Sequence, residues 1–380
     1  MEKKTLKHKT ITSILWSSVH RFGTMVISFS TNVVLARLLS PNDFGLFGIV
    51  LVLIALSDVF IDGGFGSALI QKKDVTVEDF STIFFWNLFV SLLLYSLLFI
   101  FSPFIEEFYQ MPSLALVLRV QGVILILNAF SLIQQIQLRK LMKFRALAKV
   151  KITSHSVAAV VGIVMAVQGY GVWSLVGKQL SLSVITLLIL WIYSDWKPVF
   201  CFSSKSFKSL FKYGSFIFMT SIIIKLYDNL VSLIIGKSFS VDSLGYYVQA
   251  KKMEQTMVGS LSSVVNQVTF PVFSQLQNDV PRLVRGVRSS LIALTYLNFP
   301  LMIFLIIIAD HLIVFLFSET WSASIPYFQI LCVAGMVYTL NTVNNNIIKS
   351  LGRSDLYFWL LLTKRIIGIV LIIVGLQFEI

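Results

Sequence analysis

The chain of 380 residues is strongly apolar and carries few charges. Hydrophobic residues make up 56% of it and charged residues 13%, and its mean hydropathy is +0.84. Soluble domains of this length contain less apolar sequence, so the composition excludes a soluble protein and predicts a polytopic membrane protein. The net charge of +13 comes from basic residues spread over several short segments, which argues against a nucleic-acid-binding patch.

Apolar runs of about 20 residues, the length that crosses a bilayer, follow one another along the chain. Only helices or closed barrels satisfy every backbone hydrogen bond in lipid, and the alternation typical of barrel strands is not prominent here. We therefore expect an all-α membrane protein with about eleven spans, near residues 11–36, 44–66, 82–105, 114–137, 152–169, 172–194, 213–236, 244–270, 290–317, 324–348 and 356–377.

Lysine and arginine are concentrated in alternate connections between these spans. The opposite connections hold only Arg37 and Lys237. By the positive-inside rule the basic segments face the cytoplasm, so the N-terminus is predicted to be cytoplasmic. The predicted cytoplasmic segments are residues 3–9, 72–73, 139–151, 197–212, 282–288 and 349–353.

The pattern of the first span and its following turn returns after 200 residues. Arg37 corresponds to Lys237, Ser40 to Ser240 and Gly45 to Gly245. The repeat predicts two pseudo-symmetric bundles, residues 1–200 with six helices and residues 201–380. Because the second half lacks a partner for the sixth span, we expect an incomplete second bundle and a truncated chain.

The segment from Asp195 to Lys212 joins the two predicted bundles. Its Trp, Pro and Phe residues with spaced lysines are typical of an amphipathic segment that lies along the inner membrane surface.

Polar residues interrupt the first and seventh spans on one helical face of each. A lysine or arginine in mid-membrane costs roughly 2.5–3.5 kcal/mol on insertion scales, so Arg21 and Lys225 are candidates to bind an anionic group in a cavity. Snorkelling of Arg21 toward the inner surface, or an ion pair of Lys225 with Asp228, would explain them equally simply. Their polar neighbours on these faces are candidates to line the same cavity or to bridge helices: Ser28, Asn32, Asp228 and Asn229.

Further candidates lie in other spans. Lys252 belongs to a polar stripe of the eighth span, and Asn341 and Asn345 share a face of the tenth. Asp58 is a candidate for coupling to an ion or proton, and Asp228 is a second one.

Two other features of the spans are assigned structural roles. Asp62 with Gly63, Gly64 and Gly66 predicts a turn or tight packing. Arg119 and Lys178 lie near the predicted outer surface, where both can snorkel.

The sequence contains no recognisable enzyme motif. His8, His20, His155 and His311 are isolated, and the two cysteines lack the spacing of a metal site. There is no phosphate-binding loop, so we predict no metal, no cofactor and no catalytic residue. A membrane glycan polymerase or ligase would need substantial outer loops, which the predicted spans leave no room for.

Several motifs resemble a known family. They are LARLLSPNDFGLFGIV, DGGFGSALIQKKD, GYGVWSLVGKQL, LGYYVQAKKMEQ and FPVFSQLQND. In this order they resemble the Wzx-type polysaccharide and O-antigen flippases, near the colanic-acid and teichuronic-acid exporter branch. That family lies within the multidrug, oligosaccharidyl-lipid and polysaccharide exporter superfamily.

The resemblance implies two six-helix bundles that work by alternating access. It implies movement of undecaprenyl-diphosphate-linked oligosaccharide from the inner to the outer leaflet of the bacterial inner membrane, for capsule, exopolysaccharide or lipopolysaccharide synthesis. Implied partners are this lipid-linked oligosaccharide, membrane lipids, and polysaccharide polymerase and export machinery. The alternatives are a multidrug or small-molecule antiporter of the same superfamily and a non-transporting membrane fragment.

Overall fold

The computed structural model describes residues 2–277 and 279–377, which are helical apart from short connections and contain no strand. The predicted all-α fold is confirmed. The helices are α1 (Glu2–Leu38), α2 (Pro41–Asp62), α3 (Phe65–Gln71), α4 (Val77–Tyr109), α5 (Leu114–Lys140), α6 (Phe144–Val167), α7 (Val172–Tyr193), α8 (Ser204–Ser238), α9 (Val241–Leu276), α10 (Val280–Ile307), α11 (Ala309–Phe317), α12 (Ile325–Ser350) and α13 (Ser354–Gln377). A short 3₁₀ helix, Glu319–Ser324, precedes α12.

Most of these helices are long and apolar enough to cross a membrane. Among the described residues, 9 helical stretches meet that condition by length and composition. Eight lie within α2, α4, α5, α6, α7, α8, α10 and α13, and the other, Glu319–Ile348, joins the 3₁₀ helix to α12. The protein is therefore a multi-pass membrane protein. The other two predicted spans lie within α1 and α9. The predicted span 290–317 is divided at Ile308 between α10 and α11, and the number of helices that cross the membrane stays a prediction.

The repeated turn appears at the same offset in the structure. Helix α1 ends at Leu38 and α8 at Ser238, and each is followed by a serine before the next helix begins. The Ser40 hydroxyl accepts a hydrogen bond from the backbone N–H of Asp43 at 3.3 Å, and the Ser240 hydroxyl accepts one from Ser243 at 3.1 Å. A serine at this position satisfies a free N–H of the first helical turn, which explains why both helices restart here.

The predicted turn after Asp62 is confirmed, and it divides the predicted second span into α2 and α3. Gly63 and Gly64 both have positive φ, at 53° and 74°, a conformation that favours glycine. A Cβ atom on Gly64 would lie 2.2 Å from the carbonyl oxygen of Gly214 in α8. The glycine therefore lets the α8 backbone approach the end of α2.

The segment between α7 and α8 differs in part from its prediction. Trp196 is buried and packs against Phe80 and Phe84, with ring centroids 6.0 and 5.7 Å apart. Residues 204–212 form the first turns of α8 itself. Val199, Phe200 and Phe202 of this segment are exposed, so its position along the membrane surface stays a prediction.

The chain divides into two compact units, one ending at Leu244 and one beginning at Gly245. In the first unit α8 packs with the preceding helices, and Lys237 donates to the carbonyl oxygen of Phe108 at 2.6 Å. In the second unit, Asn298 of α10 is fully buried and donates to the Thr339 hydroxyl of α12 at 2.6 Å. The division of the repeat at residue 200 concerns sequence symmetry and stays a prediction.

Candidate functional site

The predicted polar face of α1 has an exposed end and a buried end. Arg21 is exposed, Ser28 is half-buried and Asn32 is buried. Helix α1 packs along α6, where Gly23 lies against Ile152. Asn32 therefore lies inside the packed part of the helix, whereas Arg21 remains accessible.

The candidates on α8 lie beside α2. Lys225 and Asp228 are exposed, and the half-buried Asn229 donates to the carbonyl oxygen of Lys225 at 2.8 Å. Lys225 lies close enough to Asp58 of α2 to interact electrostatically with its carboxylate. The structure thus brings together two residues that the sequence had placed in separate roles.

Asp58 also begins a chain of polar side chains through the first unit. The Asn128 amide of α5 donates to the Asp58 carboxylate at 3.3 Å, and the Ser183 hydroxyl of α7 donates to the Asn128 amide oxygen at 3.4 Å. The chain links α2, α5 and α7. Each acceptor has a donor, so these polar groups largely satisfy one another in the bilayer.

A cluster of cationic side chains lies on α1, α5, α6 and α7. His20 interacts electrostatically with Lys151, His155 and Arg139, and His155 interacts electrostatically with Lys178. His155 donates through Nδ1 to the carbonyl oxygen of Lys151 at 2.8 Å. We call these five residues the cationic cluster; its positive charge is carried by Arg139, Lys151 and Lys178, and the two histidines add ring nitrogens that can donate or accept hydrogen bonds.

Lys178 packs closely against α6 because Gly162, the residue opposite it, has no side chain. A Cβ atom on Gly162 would lie only 2.8 Å from the Lys178 Cβ. The stem of Lys178 therefore occupies the contact between α6 and α7, and the residue is half-buried. Close packing at glycine is common where membrane helices meet.

Within residues 2–277 and 279–377, no carboxylate forms an ion pair with a member of the cationic cluster. Asp62 interacts electrostatically with Arg139 but forms no ion pair with it. Positive charge gathered among membrane helices is costly unless something compensates for it. The cluster is therefore suited to hold an anionic group.

The candidates in the second unit are described separately. Lys252 is exposed, and Asn341 and Asn345 of α12 are half-buried. The Asn341 side-chain oxygen accepts a hydrogen bond from Lys364 of α13 at 2.8 Å. This contact joins two helices, which is the structural alternative that the sequence left open for asparagines in the spans.

Sequence reasoning missed most of the cationic cluster. It treated His20 and His155 as isolated, assigned Lys151 to topology and set Lys178 aside as a snorkelling residue. One signal was present, because Lys151, His155 and Gly162 recur at intervals of four and seven residues and so share a face of α6.

The family model described as a polysaccharide biosynthesis protein matches residues 34–326. This chain belongs to that family. The Bacillus subtilis teichuronic acid biosynthesis protein TuaB is 26% identical over 346 residues, which cover 90% of this chain and 72% of TuaB.

Other family relatives have a similar degree of identity. The Escherichia coli lipopolysaccharide biosynthesis protein WzxC is 25% identical, over 98% of this chain and 76% of its own. The Rhizobium meliloti succinoglycan biosynthesis transport protein ExoT is 25% identical, over 95% and 74%.

Solved structures share the fold. The lipid II flippase MurJ in an inward closed conformation has a TM-score of 0.79 at 18% identity, covering 96% of this chain and 82% of MurJ. An inward-facing multidrug resistance transporter of the MATE family, in the MOP superfamily, has a TM-score of 0.68 at 13% identity, with 93% and 88% covered. At these identities the likeness establishes the fold alone.

Proposed function

We propose that this protein is a flippase that moves lipid-linked oligosaccharide across the bacterial inner membrane for surface polysaccharide synthesis. Membership of the polysaccharide biosynthesis family supports the pathway. The observation that carries the mechanism is the cationic cluster, which gathers Arg139, Lys151 and Lys178 on packed helices without an ion-paired carboxylate among the described residues.

The cluster matches the chemistry of a diphosphate linkage. A prenyl diphosphate carries negative charge on oxygens that accept charge-assisted hydrogen bonds, and such bonds strengthen where water is scarce. Lys151, His155 and Lys178 would hold the diphosphate while the prenyl tail stays in lipid. Exposure of this site first to the inner and then to the outer leaflet would carry the diphosphate across.

The candidates predicted from the sequence have distinct proposed roles. Arg21 and Lys225 add accessible cations for the diphosphate or an acidic sugar. Asp58, next to Lys225, is the proposed coupling group, with Asp228 as a second one. The remaining polar candidates would contact the sugar: Ser28, Asn32, Asn229, Lys252, Asn341 and Asn345.

The proposed setting follows from the charge distribution. The N-terminus lies in the cytoplasm, as the positive-inside rule indicates, and loading takes place from the inner leaflet. A polymerase and export machinery would receive the oligosaccharide on the other side. The proposed role is transport, with no bond made or broken in the substrate.

Complementation tests the proposed function. The gene is deleted from its host, and the chain or its Arg21→Ala variant is expressed at equal level. We expect the wild-type chain to restore surface polysaccharide and clear lipid-linked intermediates, and Arg21→Ala to restore neither. If the wild-type chain and a form extended to a full second bundle both insert stably and the intermediates still accumulate, the flippase assignment is wrong; if Arg21→Ala restores full export, the role of Arg21 is wrong.

A further inference from the structure

A second basic site lies where α6 begins and α7 ends. A pocket of about 400 Å³ is lined there by Lys143, Arg145, Ala146, Lys149 and Tyr193. Three of these five side chains are cations, and the tyrosine adds a hydroxyl that can donate a hydrogen bond. We call this the α6 pocket.

A tight turn precedes Lys143, which lines the α6 pocket. Met142 adopts a positive φ of 54°, and the Lys143 N–H donates to the carbonyl oxygen of Leu138 at 2.9 Å. The Lys143 ammonium then meets Asp195 at 2.8 Å, with both side chains largely exposed. Exposed ion pairs contribute little, so Lys143 can exchange this partner for another anion.

The other two cations are oriented by their helix and by an aromatic ring. The Arg145 guanidinium lies over the ring of Trp16 in α1, 5.4 Å from its centroid, a cation–π contact that restrains it. Arg145 and Lys149 stand one helical turn apart, where like charges repel. The N-cap residue Lys143 makes no side-chain cap, so the first turn of α6 also favours negative charge.

The α6 pocket is distinct from the cationic cluster. Lys149 and Lys151 differ by about 200° around α6 at roughly 100° per residue, so they project from opposite sides of the helix. The cluster residue His155 interacts electrostatically with Lys178 of α7, whereas Lys149 is exposed on the other side of α6.

We propose that the α6 pocket binds the phosphate of a membrane lipid, with Lys143, Arg145 and Lys149 as its ligands and Tyr193 as an added donor. Three cations around one pocket suit a phosphate group better than a carboxylate, because more of its oxygens can be satisfied at once. The phosphate could belong to an anionic phospholipid of the bilayer or to the prenyl diphosphate of the proposed substrate. The phospholipid outcome is independent of the proposed function, and the prenyl diphosphate outcome rests on it.

The test measures lipid binding to the full chain in detergent micelles. The probes are a phosphatidylglycerol, a prenyl diphosphate and, as a zwitterionic comparison, a phosphatidylcholine. The pocket variant replaces Lys143, Arg145 and Lys149 with glutamine, and the control variant replaces Lys205, Lys208 and Lys212, which are exposed on α8. Both variants lose the same charge.

We expect the pocket variant to bind at least one anionic probe about tenfold or more weakly, since each hydrogen bond to a charged group contributes more than a neutral one. The control variant should change less than about twofold, a limit set by screened long-range attraction alone. The probe that loses more affinity identifies the source of the phosphate. Equal losses in both variants, or no loss in the pocket variant, would overturn the proposal.

A single substitution tests the site independently, in case the triple variant loses binding because it misfolds. Asp195→Asn removes the carboxylate that neutralises Lys143 and leaves the pocket cations in place. We expect binding of the same anionic probe to strengthen by about two- to threefold, as the loss of a weak surface pair implies. Weaker binding by a variant with a normal thermal transition would contradict the site.

Discussion

Two polar regions of the first unit differ in how their polar and charged side chains are paired. The chain from Asp58 through Asn128 to Ser183 pairs each acceptor with a donor, and Lys225 lies near its only carboxylate. The cationic cluster gathers positive charge without an ion-paired carboxylate among the described residues. The polar groups of the first region have hydrogen-bond partners within the protein. The cations of the second region are suited to a bound anion as their partner.

This difference suits the two regions to different roles in transport. A region that needs an anion is suited to bind the substrate diphosphate. A region whose partners can separate, such as Asp58 and Lys225 on neighbouring helices, is suited to change state as the helices move. Substitutions in the cationic cluster should therefore weaken substrate binding. Substitutions in the polar network of Asp58, Asn128 and Ser183 should affect the transport cycle or the packing of the helices.

The largest effect is expected when the cluster loses two charges. Lys151→Gln with Lys178→Gln should lower export about 100-fold, because two charge-assisted hydrogen bonds to the diphosphate are lost at about 1.5 kcal/mol each. Export is measured as surface polysaccharide at matched protein level. The matched control is Lys205→Gln with Lys208→Gln on α8, and an equal loss in that control would mean that total charge matters and the cluster does not.

The next effect is expected at the carboxylate of the polar chain. Asp58→Asn keeps a hydrogen-bonding side chain beside Asn128 and removes the charge that faces Lys225. We expect export to fall about tenfold, as the loss of about 1.4 kcal/mol implies, while binding of a prenyl diphosphate to the purified chain stays within about twofold. If Asp58→Asn also weakened prenyl diphosphate binding about tenfold, Asp58 would belong to the binding site and the two regions would not have separate roles.

A smaller effect is expected at the glycine that seats Lys178. Gly162→Ala places a Cβ 2.8 Å from the Lys178 Cβ, so α6 and α7 must separate slightly. Overpacking of this kind should cost about 1 kcal/mol of unfolding free energy, read from thermal or denaturant unfolding in detergent. The control is Gly259→Ala, where nothing lies within 4 Å of the added Cβ; equal destabilisation there would refute close packing at Gly162 as the cause.

The smallest effect is expected at the end of the polar chain. The Ser183 hydroxyl lies 3.4 Å from the Asn128 oxygen, a long hydrogen bond. Ser183→Ala should lower stability by about 0.6 kcal/mol, the average for side-chain hydrogen bonds between membrane helices. A loss as large as that of Gly162→Ala would show that the chain contributes more to the fold than its geometry indicates.

The sequence predicted the fold well because its signals are local. Length and hydrophobicity identify membrane helices, and the serine that follows α1 and α8 marks the repeated turn. The two glycines after Asp62 likewise indicated the break between α2 and α3. Each of these features is decided by a few neighbouring residues.

The site was harder to predict because it depends on which helices pack together. Lys151 and His20 are distant in the chain, and they interact electrostatically only because α1 packs along α6. Lys178 was assigned to snorkelling because its position near a predicted helix end does not reveal Gly162 opposite. Lys140, in the same basic run as Lys151, instead donates to the carbonyl oxygen of Leu69 at 2.8 Å, so residues of one run have different roles.

The central claim is that the cationic cluster carries the diphosphate across the bilayer. The most direct test reconstitutes the wild-type chain, the Lys151→Gln/Lys178→Gln variant and the Lys205→Gln/Lys208→Gln control in vesicles with a fluorescent prenyl-diphosphate oligosaccharide. The rate at which the label reaches the opposite leaflet is measured by quenching. We expect the wild type and the control to move the label at similar rates and the cluster variant to move it about 100-fold more slowly, from the loss of two charge-assisted hydrogen bonds. A cluster variant that is reconstituted equally well and moves the label at the wild-type rate would contradict the claim.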